Sequence, residues 1–154
     1  MDATELSWHA AYPPPKSPKC GGMTPSEVLS LLRSADGGEP KTFALIDLRR
    51  NDHEGGTIRG SMNLPAQSLY PSIPTVYSIL RAAGISTVIW FCGSSRGRGT
   101  RAAGWFKDYI EDQKDDKMCS VVLLGGIKGW VAAGEEYISY IDEYNPGRWG
   151  QKQG

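Results

Sequence analysis

Apolar residues in this chain cluster in short runs broken by glycine, proline and charge. Three of the runs are continuous and rich in β-branched or aromatic side chains: residues 43–48 (FALIDL), 87–91 (TVIWF) and 120–124 (SVVLL). Each is too short for an amphipathic helix, and none alternates with polar residues. That is the pattern of strands buried on both faces of a parallel sheet. Between them lie segments of helical period. Thr24-Pro25-Ser26-Glu27 carries a capping residue, a proline suited to the first helical turn and a capping-box glutamate. Val28, Leu29, Leu31 and Leu32 supply an apolar stripe behind it, and the helix should end before Asp36-Gly37-Gly38. Further helices are expected over 75–83, between Pro74 and Gly84, over 100–111, with Ala102, Ala103, Phe106, Tyr109 and Ile110 on one face, and over 127–133. Residues 58–64 read as one more strand, stopped by Pro65.

Strands alternating with helices predict an α/β fold: a mainly parallel central sheet flanked by helices on both faces. Ligands in such sheets bind beyond the carboxyl ends of the strands, which points to the loops after Leu48, Phe91 and Leu124. Residues 1–22 contain Pro13-Pro14-Pro15, Pro18 and Gly21-Gly22 and read as an extended arm. Residues 23–145 form the expected catalytic domain, and 146–154 a tail with no readable element.

Composition narrows the function. The 154 residues suit one domain with a real core. Seventeen basic and seventeen acidic residues leave no net charge, which argues against nucleic-acid binding, since that rests on a basic surplus. No apolar run approaches the ~20 residues of a membrane span. The start Met1-Asp2-Ala3-Thr4-Glu5 has neither the basic residues nor the apolar stretch of a leader, so a cytoplasmic or nuclear location is expected. Cys20, Cys92 and Cys119 are too few and too scattered for a disulfide framework and leave room for a reactive thiol.

The chemistry concentrates after the strand 87–91. There the chain reads Cys92-Gly93-Ser94-Ser95-Arg96-Gly97-Arg98 and enters a helix. Small residues let successive amides turn inward as an anion-binding nest, and the helix N-terminus adds its dipole. Arg98 can close the ring with a bidentate fork matched to a tetrahedral oxyanion. The same positive field favours a thiolate at Cys92. A nucleophile beside an oxyanion cradle is the arrangement of covalent catalysis.

This strand, loop and helix entry resemble the catalytic loop of the M-phase inducer phosphatases, the phosphatase branch of the rhodanese fold, which includes eukaryotic arsenate reductases. Ile46-Asp47-Leu48-Arg49 followed by Glu54-Gly55-Gly56-Thr57-Ile58-Arg59-Gly60-Ser61-Met62-Asn63-Leu64 is similar to that family's IDxR…GGHIxGAxNL stretch, and Leu124-Gly125-Gly126-Ile127-Lys128-Gly129-Trp130 to its LxGGxxxW ending. The resemblance implies a rhodanese-like fold, Cys92 as nucleophile, Arg98 as oxyanion ligand, and the amides of Gly93, Ser94, Ser95, Arg96, Gly97 and Arg98 as the cradle. Asp47 would tie the first strand to neighbouring loops, Gly125-Gly126 would make a tight exit, and Trp130 would anchor the core.

The implied activity is a cysteine-dependent phosphatase on tyrosine or aryl phosphate, or an arsenate reductase. The substrate would be a phosphate- or arsenate-type oxyanion, free or carried on a phosphoprotein. No metal or cofactor is called for; a thiol such as glutathione would enter as co-substrate. Sulfurtransferases of this fold usually have a loop one residue shorter, so a sulfurtransferase using a Cys92 persulfide is the alternative, and a non-enzymatic oxyanion-binding or redox module the third. Two departures bear on the choice: Phe91 stands where the family usually has histidine, and the loop lacks an acid. Glu54, Glu135, Glu136 and His53 read as solvated, Arg96 and Arg101 as added positive charge. Cys119 is expected in the core, or, if it approaches Cys92, as a resolving thiol.

Overall fold

The computed structural model describes residues 11–16 and 20–150. In chain order its elements are β1 (Gly21–Met23), α1 (Pro25–Asp36), β2 (Phe43–Asp47), β3 (Thr57–Ile58), β4 (Met62–Asn63), α2 (Ala66–Leu69), a 3-10 turn (Tyr70–Ser72), α3 (Ile73–Ala82), β5 (Thr87–Phe91), α4 (Arg98–Asp112), β6 (Cys119–Leu123), α5 (Gly126–Ala132), α6 (Glu135–Ile138), β7 (Ile141–Asp142) and α7 (Pro146–Gly150). The main sheet has the order β1-β6-β5-β2-β4, and its pairings are parallel.

The continuous apolar runs are explained by a core on each face. Ala44, Ile46, Val88, Trp90 and Val122 point to one side, where α2, α3 and α4 cover them with Leu69, Tyr77, Leu80, Ala102 and Phe106. Phe43, Leu45, Ile89, Phe91 and Leu123 point to the other, against Val28, Leu29 and Leu32 of α1 and Ile127 and Trp130 of α5. The period-two alternation of a strand thus sends Phe43, Ala44, Leu45 and Ile46 of β2 into apolar surroundings on both faces, while Asp47 at its end is buried among polar partners. Trp90 Nε1 donates to Ser120 Oγ (2.9 Å), which donates to the Ala103 carbonyl (2.8 Å), so the buried polar atoms of β5 and β6 are satisfied through α4. The expected capping box is present: Glu27 N donates to Thr24 Oγ1, and Thr24 N to Glu27 Oε1.

Three expectations need correction. The arm does not run to residue 22, because Gly21–Met23 lies on the sheet edge beside β6. Parallel pairing there uses backbone groups alone, so two glycines can serve. The strand expected over 58–64 is broken: Gly60 takes a positive φ of 83°, Ser61 N turns back to the Ile58 carbonyl, Thr57–Ile58 pairs antiparallel with β7, and only Met62–Asn63 joins the main sheet. The tail is ordered through α7, where Trp149 packs into the second core and its Nε1 donates to the Gly55 carbonyl at 2.9 Å. Among the described residues no helix is long and apolar enough to cross a membrane.

Candidate active site

Cys92 follows directly on β5, and α4 begins six residues later. The loop between them is pinned on both sides. Its Cys92 and Gly93 carbonyls accept the Ile127 and Lys128 amides at the start of α5, each at 3.0 Å. Gly126 makes that contact possible: a Cβ there would come within 2.6 Å of the Cys92 carbonyl oxygen and 2.5 Å of that of Gly93, and its φ of +61° suits glycine. Inside the loop, Ser95 takes the left-handed conformation (φ 62°) and directs its amide at the Cys92 sulfur, 3.2 Å away. A non-glycine residue there is strained, and strain of this kind gathers at functional loops. Ser95 Oγ accepts from the Cys92 amide at 3.4 Å, and Thr100 Oγ1 donates to the Ser95 carbonyl at 3.0 Å. The sulfur therefore sits at the N-terminal end of a fifteen-residue helix with an amide donor aimed at it.

Beside the loop opens a cavity of about 210 Å³ lined by Gly93, Ser94, Arg98, Lys128, Asp52 and Arg49, with Glu54, Ile127, Arg148 and Trp149 completing it. That is smaller than the ~300–1,000 Å³ of drug-sized sites and suits a small ion. Three of its cations are bonded to carboxylates. Arg98 makes a fork on Asp52, Nη1 to Oδ1 at 2.9 Å and Nη2 to Oδ2 at 2.6 Å. Arg148 meets Glu54 at 2.9 Å, and buried Arg49 meets Asp47 at 2.8 Å. The Lys128 ammonium hangs over Gly93, 3.9 Å from where a Cβ on that glycine would lie. Hydrogen bonds from Arg98 hold the Asp52 carboxyl at about 2, against an ordinary 3.8.

This loop, set at the carboxyl end of a central parallel strand, lies within residues 24–133, which match the family model of the Rhodanese-like domain. The chain belongs to the rhodanese-like domain family. Its relatives include arsenical-resistance protein 2 of Saccharomyces cerevisiae, 27% identical over 97 residues (58% of this chain, 75% of that protein), and arsenate reductase 2.1 of Oryza sativa subsp. japonica, 28% identical over 124 residues (78% and 72%). Similar solved structures include a yeast protein tyrosine phosphatase of the rhodanese family (TM-score 0.69, 22% identity, 86% of this chain and 99% of that one) and the As-Sb reductase of Leishmania major (TM-score 0.63, 24%, 70% and 74%).

Within this rhodanese-like domain the residues singled out by sequence separate. Cys92, Gly93, Ser94, Ser95 and Arg98 converge around the sulfur and the cavity, whereas Arg96 and Gly97 are exposed and Arg96 does not line it. Asp47 is a tie, as expected: wholly buried, it accepts from Arg49 and from Thr57 Oγ1 at 2.7 Å. Trp130 is fully buried, with Nε1 donating to the Tyr137 carbonyl. His53 is not simply solvated, for its Nε2 lies 3.4 Å from the Asp47 carboxylate. Glu54 lines the cavity, while Glu136 pairs with Arg33 at the surface.

Cys119 is neither core nor resolving thiol. It is exposed at the amino end of β6 and in register with Thr87, the whole length of β5 away from Cys92. At ~3.3 Å per residue that is roughly 16 Å. Nothing in the sequence marks Asp52 or Lys128 as lining a site, although Lys128 stands within the LxGGxxxW-like stretch. Asp52 lies in the loop after Leu48 and Lys128 in the first turn of α5 just beyond Leu124, at two of the three strand ends where the strand-end rule puts ligands.

Proposed function

We propose that this rhodanese-like domain is a cysteine-dependent arsenate reductase in which Cys92 attacks arsenic and Arg98 holds the oxyanion. The observation that carries this reading is the Cys92 sulfur receiving the Ser95 amide at the mouth of α4, beside a small cation-lined cavity. The names of two curated relatives point to the same chemistry.

The Cys92 thiolate forms an S–As bond while one As–O bond breaks and its oxygen leaves, protonated, as water. A small thiol, of which glutathione is the common example, then attacks the Cys92 sulfur. The S–As bond breaks with both electrons staying on arsenic, which departs as arsenite. A second thiol cleaves the resulting mixed disulfide and restores Cys92. Two thiols are oxidised to one disulfide, arsenic gains two electrons and one water is released.

Hydrolysis of an alkyl phosphate would need a proton donor for the departing alkoxide. The loop has no carboxyl group, and Asp52, whose carboxyl Arg98 holds below its already low ordinary value, is ionised at neutral pH. An aryl phosphate, whose phenolate leaves more readily, remains within reach of the same sulfur.

The test is a parallel assay of arsenate with glutathione, aryl phosphate, and thiosulfate with cyanide, on wild type and Cys92→Ser. Arsenite formation by wild type and its loss in the variant support the proposal. Turnover of thiosulfate alone, with one extra sulfur on Cys92 by mass spectrometry, would replace it with sulfur transfer.

A further inference from the structure

Arg98 is the guanidinium that the proposed oxyanion needs, yet its Nη1 and Nη2 are both engaged by the Asp52 carboxylate, at 2.9 and 2.6 Å. Asp52 lies in the loop after β2, forty-six residues away in sequence, and shares the lining of the cavity with Arg98, Gly93 and Ser94. Its two oxygens present to the fork the planar, paired acceptors that an oxyanion would present. A second anion entering this cavity would meet the carboxylate at close quarters in partly desolvated surroundings, where like charges repel strongly.

We infer that Asp52 is a specificity-determining residue that acts as the resident anion of Arg98, so that a substrate binds by exchange: the oxyanion takes the guanidinium fork and the carboxylate swings out to water. The inference rests on the reading of Arg98 as oxyanion ligand and adds what that ligand does before substrate arrives. The movement breaks the bond from the Arg50 amide to Asp52 Oδ1, 3.2 Å long, as well as the fork to Arg98. Asp52 has a side-chain exposure of 43%, against 20% for Arg98, and it belongs to a turn rather than to a strand or helix.

Exchange selects ligands. A halide offers one point of attachment and cannot replace a two-point fork. A tetrahedral dianion offers two oxygens to Arg98 and keeps the others for the loop amides and for Lys128, whose ammonium stands over Gly93. The carboxylate thereby keeps small monoanions off Arg98, at the expense of some affinity for the substrate.

Isothermal titration with inorganic arsenate, without thiol, tests this on the full chain. Asp52→Asn should bind arsenate about tenfold more tightly than wild type, a change of about 1.4 kcal/mol, and chloride should become a measurable competitor. Glu54→Gln removes the same charge from the same cavity but leaves the Asp52–Arg98 pair, and it should alter affinity less than threefold. If Asp52→Asn fails to fold, Asp52→Ala takes its place. Unchanged or weakened binding in the Asp52 variant, or an equal gain in both variants, would overturn the inference, the last because a general field and not exchange would then be at work. Arg98→Ala separates the two levels: arsenate binding equal to wild type there would refute Arg98 as the ligand, whereas loss of binding there with no gain in Asp52→Asn would refute exchange alone.

Discussion

Asp47 is fully buried, and its carboxylate accepts from Arg49 through Nε and Nη2 and from Thr57 Oγ1. Arg49 in turn donates to the carbonyls of Asp52, Glu54 and Gly56, so one buried ion pair shapes the loop that carries Asp52. Breaking such a pair leaves a charge without compensation and typically costs 3–5 kcal/mol. Asp47→Asn should therefore lose about 3 kcal/mol or more in urea unfolding, and a loss below about 1 kcal/mol would show that the pair is not the tie described. Asp52 behaves differently. Its carboxyl is held at about 2 by Arg98, below its ordinary 3.8. A depressed carboxyl adds stability that is present above 3.8 and disappears as the pH falls through about 2. The pair is partly exposed, so its worth is under about 1 kcal/mol. Wild type should exceed Asp52→Asn slightly in unfolding midpoint at pH 6, and the gap should shrink toward pH 2.5; a gap that widens on acidification would contradict the sign.

At the scale of elements, the site exists because α5 grips the loop after β5. Gly126 lies so near the Cys92 and Gly93 carbonyls that a methyl group must push them away. Its left-handed φ adds strain of about 1–3 kcal/mol for any other residue. Gly126→Ala should thus lower kcat/KM at least tenfold, measured on the fraction that circular dichroism and an unfolding curve show to be folded at assay temperature. Wild-type kinetics in this variant would mean the loop does not need the grip.

These elements also show what a sequence can and cannot reveal. The buried runs over 43–48, 87–91 and 120–124 were legible because parallel strands with apolar layers on both sides leave few polar positions, here Asp47 and Ser120 among the buried ones. The cysteine loop was legible because small residues, arginine and a following helix occur together over ten positions. The two-residue strands β3, β4 and β7 were not, since pairs so short carry no period and are fixed by the turn at Gly60 and by tertiary contact. Asp52 was not, because a charged residue in a polar loop becomes significant only when the fold sets it against Arg98.

Over the whole molecule, distant parts of the chain meet at the cavity. Trp149, from the last helix, closes one wall, packs into the core with Ile58 and Trp130, and donates to Gly55. At the other side of the sheet Tyr12 stacks on Tyr70 at 4.9 Å, and Trp105 Nε1 donates to the Pro13 carbonyl, so part of the arm is fastened to α4. Removing a largely buried indole typically costs 3–5 kcal/mol. Trp149→Ala should therefore lose about 3 kcal/mol in urea unfolding and raise KM for arsenate, because it strips the cavity of a wall. A variant as stable as wild type would show α7 to be dispensable.

In the proposed reaction the Cys92 sulfur does the chemistry, a role that can be measured. Its most direct test is the arsenate-dependent oxidation of glutathione by Cys20→Ser, Cys92→Ser and Cys119→Ser, measured side by side with wild type. Cys92→Ser should fall to the uncatalysed rate, while Cys119→Ser and Cys20→Ser keep at least half the wild-type rate. Activity that survives in Cys92→Ser, or that disappears with Cys119, would contradict the account.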